Sequence, residues 1–75
     1  MEKTRQFTAF IEREDDAFVA HCPELDIASQ GATVEEARTN LVEAIELFFE
    51  TASPEEIRTR AHHAFFVTSV EVKVA

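Results

Sequence analysis

The chain is poor in the residues that cross-link or sharply bend a backbone. It has one cysteine, Cys22, one glycine, Gly31, two prolines, and neither tryptophan nor tyrosine. A single cysteine excludes an internal disulfide, which is typical of proteins in a reducing compartment. A single glycine excludes a glycine-rich phosphate-binding loop. We find no secretory leader and no apolar run as long as a membrane span, so we expect a cytoplasmic protein without membrane contact.

Positive charge is also scarce. Seven basic residues stand against fifteen acidic ones, and the formal net charge is -8. Binding to nucleic acid needs cations that face phosphates, so we expect no direct contact with nucleic acid. The negative charge favours a basic partner, with solubility alone as the alternative.

The chain is short for a stable core. Its 75 residues, 45% of them apolar, form one predicted domain, 1–75, with seven phenylalanines. Domains near this size bury only about 60% of the surface that the unfolded chain exposes. Many therefore need a partner subunit.

Alternating apolar and polar residues predict strands at both ends of the chain. The first two strands, 6–13 and 17–22, form a hairpin around the turn Glu14-Asp15-Asp16. A short third strand is predicted at 26–30, followed by a turn for which Gly31 supplies the backbone freedom. Residues 65–74 alternate again and predict a long last strand.

Two capping boxes predict helices between the third and last strands. Thr33-Val34-Glu35-Glu36 begins a helix that runs from Val34 to about Ala52 and packs through Leu41, Ala44, Ile45 and Phe48. Ser53-Pro54-Glu55-Glu56 begins a short second helix that runs to about Arg60. The predicted fold is α+β, β-β-β-α-(α)-β, with a four-stranded mixed sheet of order 3-2-1-4 and the helices on one face.

Three segments, 18–25, 29–37 and 40–45, resemble the HicB-like family, which comprises antitoxins of HicA–HicB toxin–antitoxin pairs and stand-alone relatives. They read Phe-Val-Ala-His-Cys-Pro-Glu-Leu, Ser-Gln-Gly-Ala-Thr-Val-Glu-Glu-Ala and Asn-Leu-Val-Glu-Ala-Ile. The resemblance covers about residues 6–50. It implies a partial ribonuclease-H-like sheet without a nuclease site, and a protein that holds a small, basic, RNA-cleaving toxin inactive.

Two features depart from the family pattern. Full-length HicB antitoxins usually carry a C-terminal DNA-binding module, and we expect this chain to be a short stand-alone member without it. Residues 26–28 and 14–17 also lack the glycines that the family tends to have there.

The predicted partner-binding residues are carboxylates of the hairpin turn and of one arc of the first helix. They are Glu14, Asp15, Asp16, Glu35, Glu43, Glu46 and Glu50. The alternative is a solvated helix surface, because glutamate is a good helix former. Val42, Ile45 and Phe49 widen the apolar face and predict an oligomer interface, unless the second helix covers them.

We expect no catalytic, cofactor or metal site. His21 and Cys22 are adjacent on a strand, so they point to opposite faces and cannot share a metal ion. His62 and His63 lack a third ligand at a suitable spacing and are more typical of a helix C-terminus. The acidic residues of the predicted strands, Glu12 and Glu71 among them, are interpreted as outer-face polar residues.

Two functions follow from these patterns. The first is an antitoxin-like module that binds a small basic HicA-like toxin and itself forms a homo-oligomer. The alternative is a solitary homo-oligomeric domain with a scaffold or small-ligand role and no toxin.

Overall fold

The chain folds as an α+β protein, as predicted. A computed structural model describes residues 4–61 and 64–75. The elements in chain order are β1 (Phe10–Glu14), β2 (Ala17–Cys22), β3 (Ile27–Gly31), α1 (Val34–Thr51) and α2 (Pro54–Ala61). The strands form an antiparallel meander of order β1-β2-β3, and α1 packs across one face of it.

The core lies between this sheet and α1. Its fully buried members are small or aliphatic side chains and one thiol: Ala20, Cys22, Leu25, Ala37 and Leu41. Ile45 and Phe48 pack against them from α1, on the stripe that the helical period predicts. The other sheet face carries Phe10, Val19 and His21, and no helix of the described residues packs on it.

The first capping box forms largely as predicted. The Thr33 hydroxyl accepts from the Glu36 amide at 3.0 Å, and Glu36 Oε1 accepts from the Ala32 amide at 3.0 Å. The helix ends at Thr51, one residue before the predicted end, and Ala52 is its C-cap. In the second box the Ser53 hydroxyl accepts from the Glu56 amide at 3.1 Å.

Gly31 is required for a different reason from the predicted one. It is the last residue of β3 and its φ is not positive, so other residue types could adopt the same backbone conformation. However, a Cβ at this position would lie 2.6 Å from the Ala37 nitrogen and 2.8 Å from the Glu36 Cβ. Glycine is needed because the first turn of α1 lies directly against the end of β3. The left-handed conformations belong to Asp15 (φ 53°) and Asp26 (φ 55°) in the two hairpin turns, since aspartate tolerates this region better than most residues.

The prediction of a fourth strand is wrong for the single chain. Residues 64–75 form no strand and are exposed throughout. The sheet is therefore three-stranded and antiparallel, and the mixed order 3-2-1-4 does not form. Alternation indicates that one face of a segment needs burial, but it does not specify which sheet edge supplies the backbone hydrogen bonds. The first strand also begins at Phe10 and not at Gln6. His62 and His63 lie outside the described residues.

Candidate functional site

Carboxylates gather at the end of the sheet where the β1–β2 turn lies beside the start of α1. Glu14, Asp15, Asp16 and Glu36 line an open cleft of about 610 Å³, together with Gln30 and other residues of the sheet end. We call these four residues the acidic end.

Strand register explains why residues so far apart in sequence meet there. Glu14 pairs with Ala17 across the first hairpin, and Phe18 pairs with Gly31 across the second. The β1–β2 turn and the β3–α1 connection therefore lie at the same end of the sheet. Glu36 is held at the cleft because its side chain accepts the Ala32 amide.

A second group of carboxylates follows the exposed surface of α1. Glu43, Glu46 and Glu50 lie on the side of the helix away from the sheet, and all three are exposed. We call them the helix back. Glu35 is exposed in the first turn of α1, next to the acidic end.

These predicted site residues carry no neutralising partners among the described residues. The one close approach of such groups found there is between His21 Nε2 and Glu12 Oε1 at 3.2 Å on the open sheet face, and it is an ion pair only when the imidazole is protonated. The last turn of α1 also has no basic residue. Negative charge near a helix C-terminus is unfavourable, because the helix dipole places partial negative charge there. Glu50 is thus a residue that helix stability does not explain.

The predicted interface residues differ in exposure. Val42 is 46% exposed, whereas Ile45 and Phe49 pack against the core. The Phe49 ring lies 5.7 Å from the Phe7 ring, and the Arg5 guanidinium stacks near both. The N-terminal segment therefore covers Phe49, a contact that the sequence pattern did not predict.

Arg60 is one residue through which the second helix contacts the rest of the fold. Arg60 Nη1 donates to the Leu25 carbonyl at 2.8 Å, and its guanidinium lies 5.2 Å from the centre of the Phe48 ring. The cation–π contact helps to hold α2 against the end of the sheet.

Glu24 joins the N-terminal segment to the β2–β3 turn, another contact that alternation did not predict. Its Oε2 accepts from the Thr8 amide at 2.8 Å, and its Oε1 lies 3.7 Å from Cys22 Sγ. Partial burial by itself would raise the pKa of Glu24, but the hydrogen bonds from Thr8, from the Glu24 backbone and from Cys22 together outweigh burial and lower that pKa. Burial raises the pKa of the Cys22 thiol, so Cys22 is a poor nucleophile.

Among the described residues, one group has the composition of metal ligands. The side chains of Glu12, Glu14 and His21 place donor atoms within 4.8 Å of one another on the open sheet face. Nε2 of His21 makes no hydrogen bond, although Glu12 is near it, and its ring stacks on Phe10 at 4.8 Å. The three donors could hold a divalent cation only with water completing its coordination.

No helix of the described residues is long and apolar enough to cross a membrane. Comparison of the chain with protein-family models, with curated proteins and with solved structures finds no match.

Proposed function

We propose that this chain binds a basic protein through the acidic end and the helix back, as an antitoxin-like module that neutralises a small RNA-cleaving toxin. The observation that carries this proposal is the set of exposed carboxylates without cationic partners among the described residues. Residues that resemble HicB-like antitoxins supply the choice of partner class. As part of this proposal, the sheet and α1 correspond to a partial ribonuclease-H-like fold, as the resemblance to the HicB-like family implies.

The chemistry of the surface fits this role. A toxin that contacts RNA phosphates must present lysine or arginine, and carboxylates can meet those same cations. Complementary charge mainly accelerates encounter and excludes wrong partners, while packed apolar contacts set the lifetime of the complex. Val42 and Leu47, both exposed on α1 beside the helix back, are available for such contacts.

Glu46 and Glu50 are the most informative pair to change. Both are exposed, and both lie in the C-terminal half of α1, where a negative charge does not stabilise the helix. Their replacement should leave folding intact, so a change in binding would report on the surface itself.

The experiment uses the protein encoded by the neighbouring reading frame, if that protein is short and basic. Its RNA cleavage and its association rate are measured with the wild type, with Glu46→Gln/Glu50→Gln, and with the control Glu55→Gln/Glu56→Gln. The control removes two exposed helical carboxylates from α2, neither of which belongs to the acidic end or the helix back. We expect inhibition of cleavage by the wild type, and association slowed severalfold at low salt by the first variant only.

Two results would contradict the proposal. Equal association rates for the two double variants would show that the helix back is a solvated surface that takes no part in binding. An absence of binding and of inhibition by the wild type would reject the antitoxin role.

A solitary homo-oligomeric domain is the second candidate function. The exposed apolar residues of 64–75 favour it, because such a segment needs a partner surface. A neighbouring frame that encodes no basic protein would support this alternative.

A further inference from the structure

The C-terminal segment combines a strand pattern with an unusual degree of exposure. Six of its side chains are large and apolar: Phe65, Phe66, Val67, Val70, Val72 and Val74. Their exposure runs from 37% at Phe65 to 89% at Phe66. We call residues 65–74 the tail. Its even positions are Phe66, Thr68 and three valines, so one face of an extended tail is almost wholly apolar.

The shape of the molecule shows that this segment lies apart from the rest. The radius of gyration is 14.8 Å and the longest dimension is 52 Å. A compact chain of this length has a radius of gyration of about 11 Å. The tail therefore projects, with its apolar face in water.

One edge of the sheet is open to an additional strand. The outer edge of β1 has no backbone partner among the described residues. The outer edge of β3 is less available, because Asn40 Nδ2 already donates to the Gln30 carbonyl at 2.8 Å and α1 lies against Gly31. An unpaired edge is a template for a strand from another chain.

We propose that the tail of one copy pairs with the outer edge of β1 in a second copy, and that the second copy returns its own tail in the same way. Exchange of an identical element is a common route to a closed two-fold dimer. Only two residues separate the end of α2 from Ala64. A connection this short favours exchange over return to the same sheet.

The area involved suits a stable dimer. The even faces of two exchanged tails contribute eight large apolar side chains. At about 60–120 Å² each, these remove roughly 500–1,000 Å² from water, and the receiving surfaces add their own buried area. Stable protein interfaces bury about 1,200–2,000 Å² in total. With the even face toward the α1 layer, Lys73 lies on the same sheet side as Glu12 and Glu14 and can neutralise one of them.

The decisive experiment is an isotope-filtered NMR measurement on a mixture of labelled and unlabelled wild-type protein. We expect contacts between tail amides and β1 amides only across the two kinds of molecule, together with a dimer mass by light scattering. Tail–β1 contacts within one molecule, a monomer, or a dimer without tail–β1 contacts would each overturn the proposal.

Two variants test the exchange independently. Insertion of six Gly/Ser residues between Ala61 and Ala64 should shift the population from dimer to monomer, because the tail can then reach its own sheet. Val70→Ser/Val72→Ser should weaken dimerisation at least tenfold, while the control Ser69→Thr/Glu71→Asp, which keeps the net charge and changes the other face, should not. A dimer unaffected by both the insertion and the valine substitutions would contradict the exchange, provided that circular dichroism shows folded protein.

Discussion

At the scale of single residues, Glu24 differs from the carboxylates of the acidic end and the helix back because it connects two distant segments of the chain. It accepts the Thr8 amide and lies beside the buried thiol of Cys22. Thr8 is next to Phe7, whose ring packs on Phe49. The Glu24 carboxylate therefore helps to hold the N-terminal segment against the core. The acidic residues of this protein thus have two roles, one internal and one on the surface.

The lowered pKa of Glu24 predicts an acid-sensitive contribution to stability. A carboxyl whose pKa is lower in the folded state stabilises the fold above its unfolded pKa, and this contribution is lost as the pH falls through the folded pKa. Glu24→Gln keeps an acceptor for Thr8 but removes the charge. We expect the variant to be less stable than the wild type at about pH 7, and the difference to shrink as the pH falls below 4.5, the ordinary pKa of a glutamate.

Urea denaturation of both proteins across this pH range measures the effect. Glu43→Gln is the matched control, because Glu43 is exposed in the middle of α1 and has no hydrogen bond among the described residues. If Glu24→Gln lost the same stability at both ends of the range, the charge of Glu24 would have no part in the hydrogen bond.

At the scale of elements, the sequence was most informative where a local rule alone determines the structure. The hydroxyl caps of both predicted capping boxes form, at Thr33 and at Ser53, and the helical stripe places Leu41 and Phe48 toward the sheet. Both are decided within a few residues, by backbone amides and by a 3.6-residue period. The hairpin around Asp15 follows for the same reason.

Contacts between distant segments could not be predicted in this way. The cover of Phe49 by Phe7, the attachment of Arg60 to Leu25 and the gathering of Glu36 with the β1–β2 turn depend on how elements pack. The tail shows the same limit, since its alternation is strong but its partner edge is not encoded locally. In the candidate site, the exposure of the acidic residues could be predicted from the sequence, whereas the cleft that they line could not.

The close contact between α1 and β3 at Gly31 predicts that the substitution Gly31→Ala lowers the stability of the fold. Gly31→Ala places a Cβ against backbone atoms of Glu36 and Ala37, and overpacking of this kind costs about 1–3 kcal/mol. Because the first turn of α1 must move, the adjacent acidic end should be disturbed as well. Urea denaturation measures the loss of stability, with Gln30→Ala as a neighbouring control at an exposed position of β3. Equal stabilities of Gly31→Ala and the wild type would show that α1 can shift without cost.

At the scale of the whole molecule, a net charge of -8 opposes self-association and favours a basic partner. The two kinds of binding proposed for this chain should therefore respond to salt in opposite directions. Two acidic copies repel each other over distances comparable with the Debye length, about 10 Å at 0.1 M salt. The tail contributes one glutamate and one lysine, so exchanged tails add little charge of their own.

We expect dimerisation to strengthen as salt rises, because screening removes the repulsion while burial of the apolar tail is retained. Association with a basic protein should slow over the same range, since screening there removes attraction. Sedimentation equilibrium from about 0.05 to 0.5 M sodium chloride, which shortens the Debye length severalfold, measures the first effect. Glu46→Gln/Glu50→Gln should reduce the salt dependence of dimerisation, because it removes four like charges from each dimer. A dimer that dissociates with added salt would instead depend on ion pairs between the copies, and the apolar tail would not be its main contact.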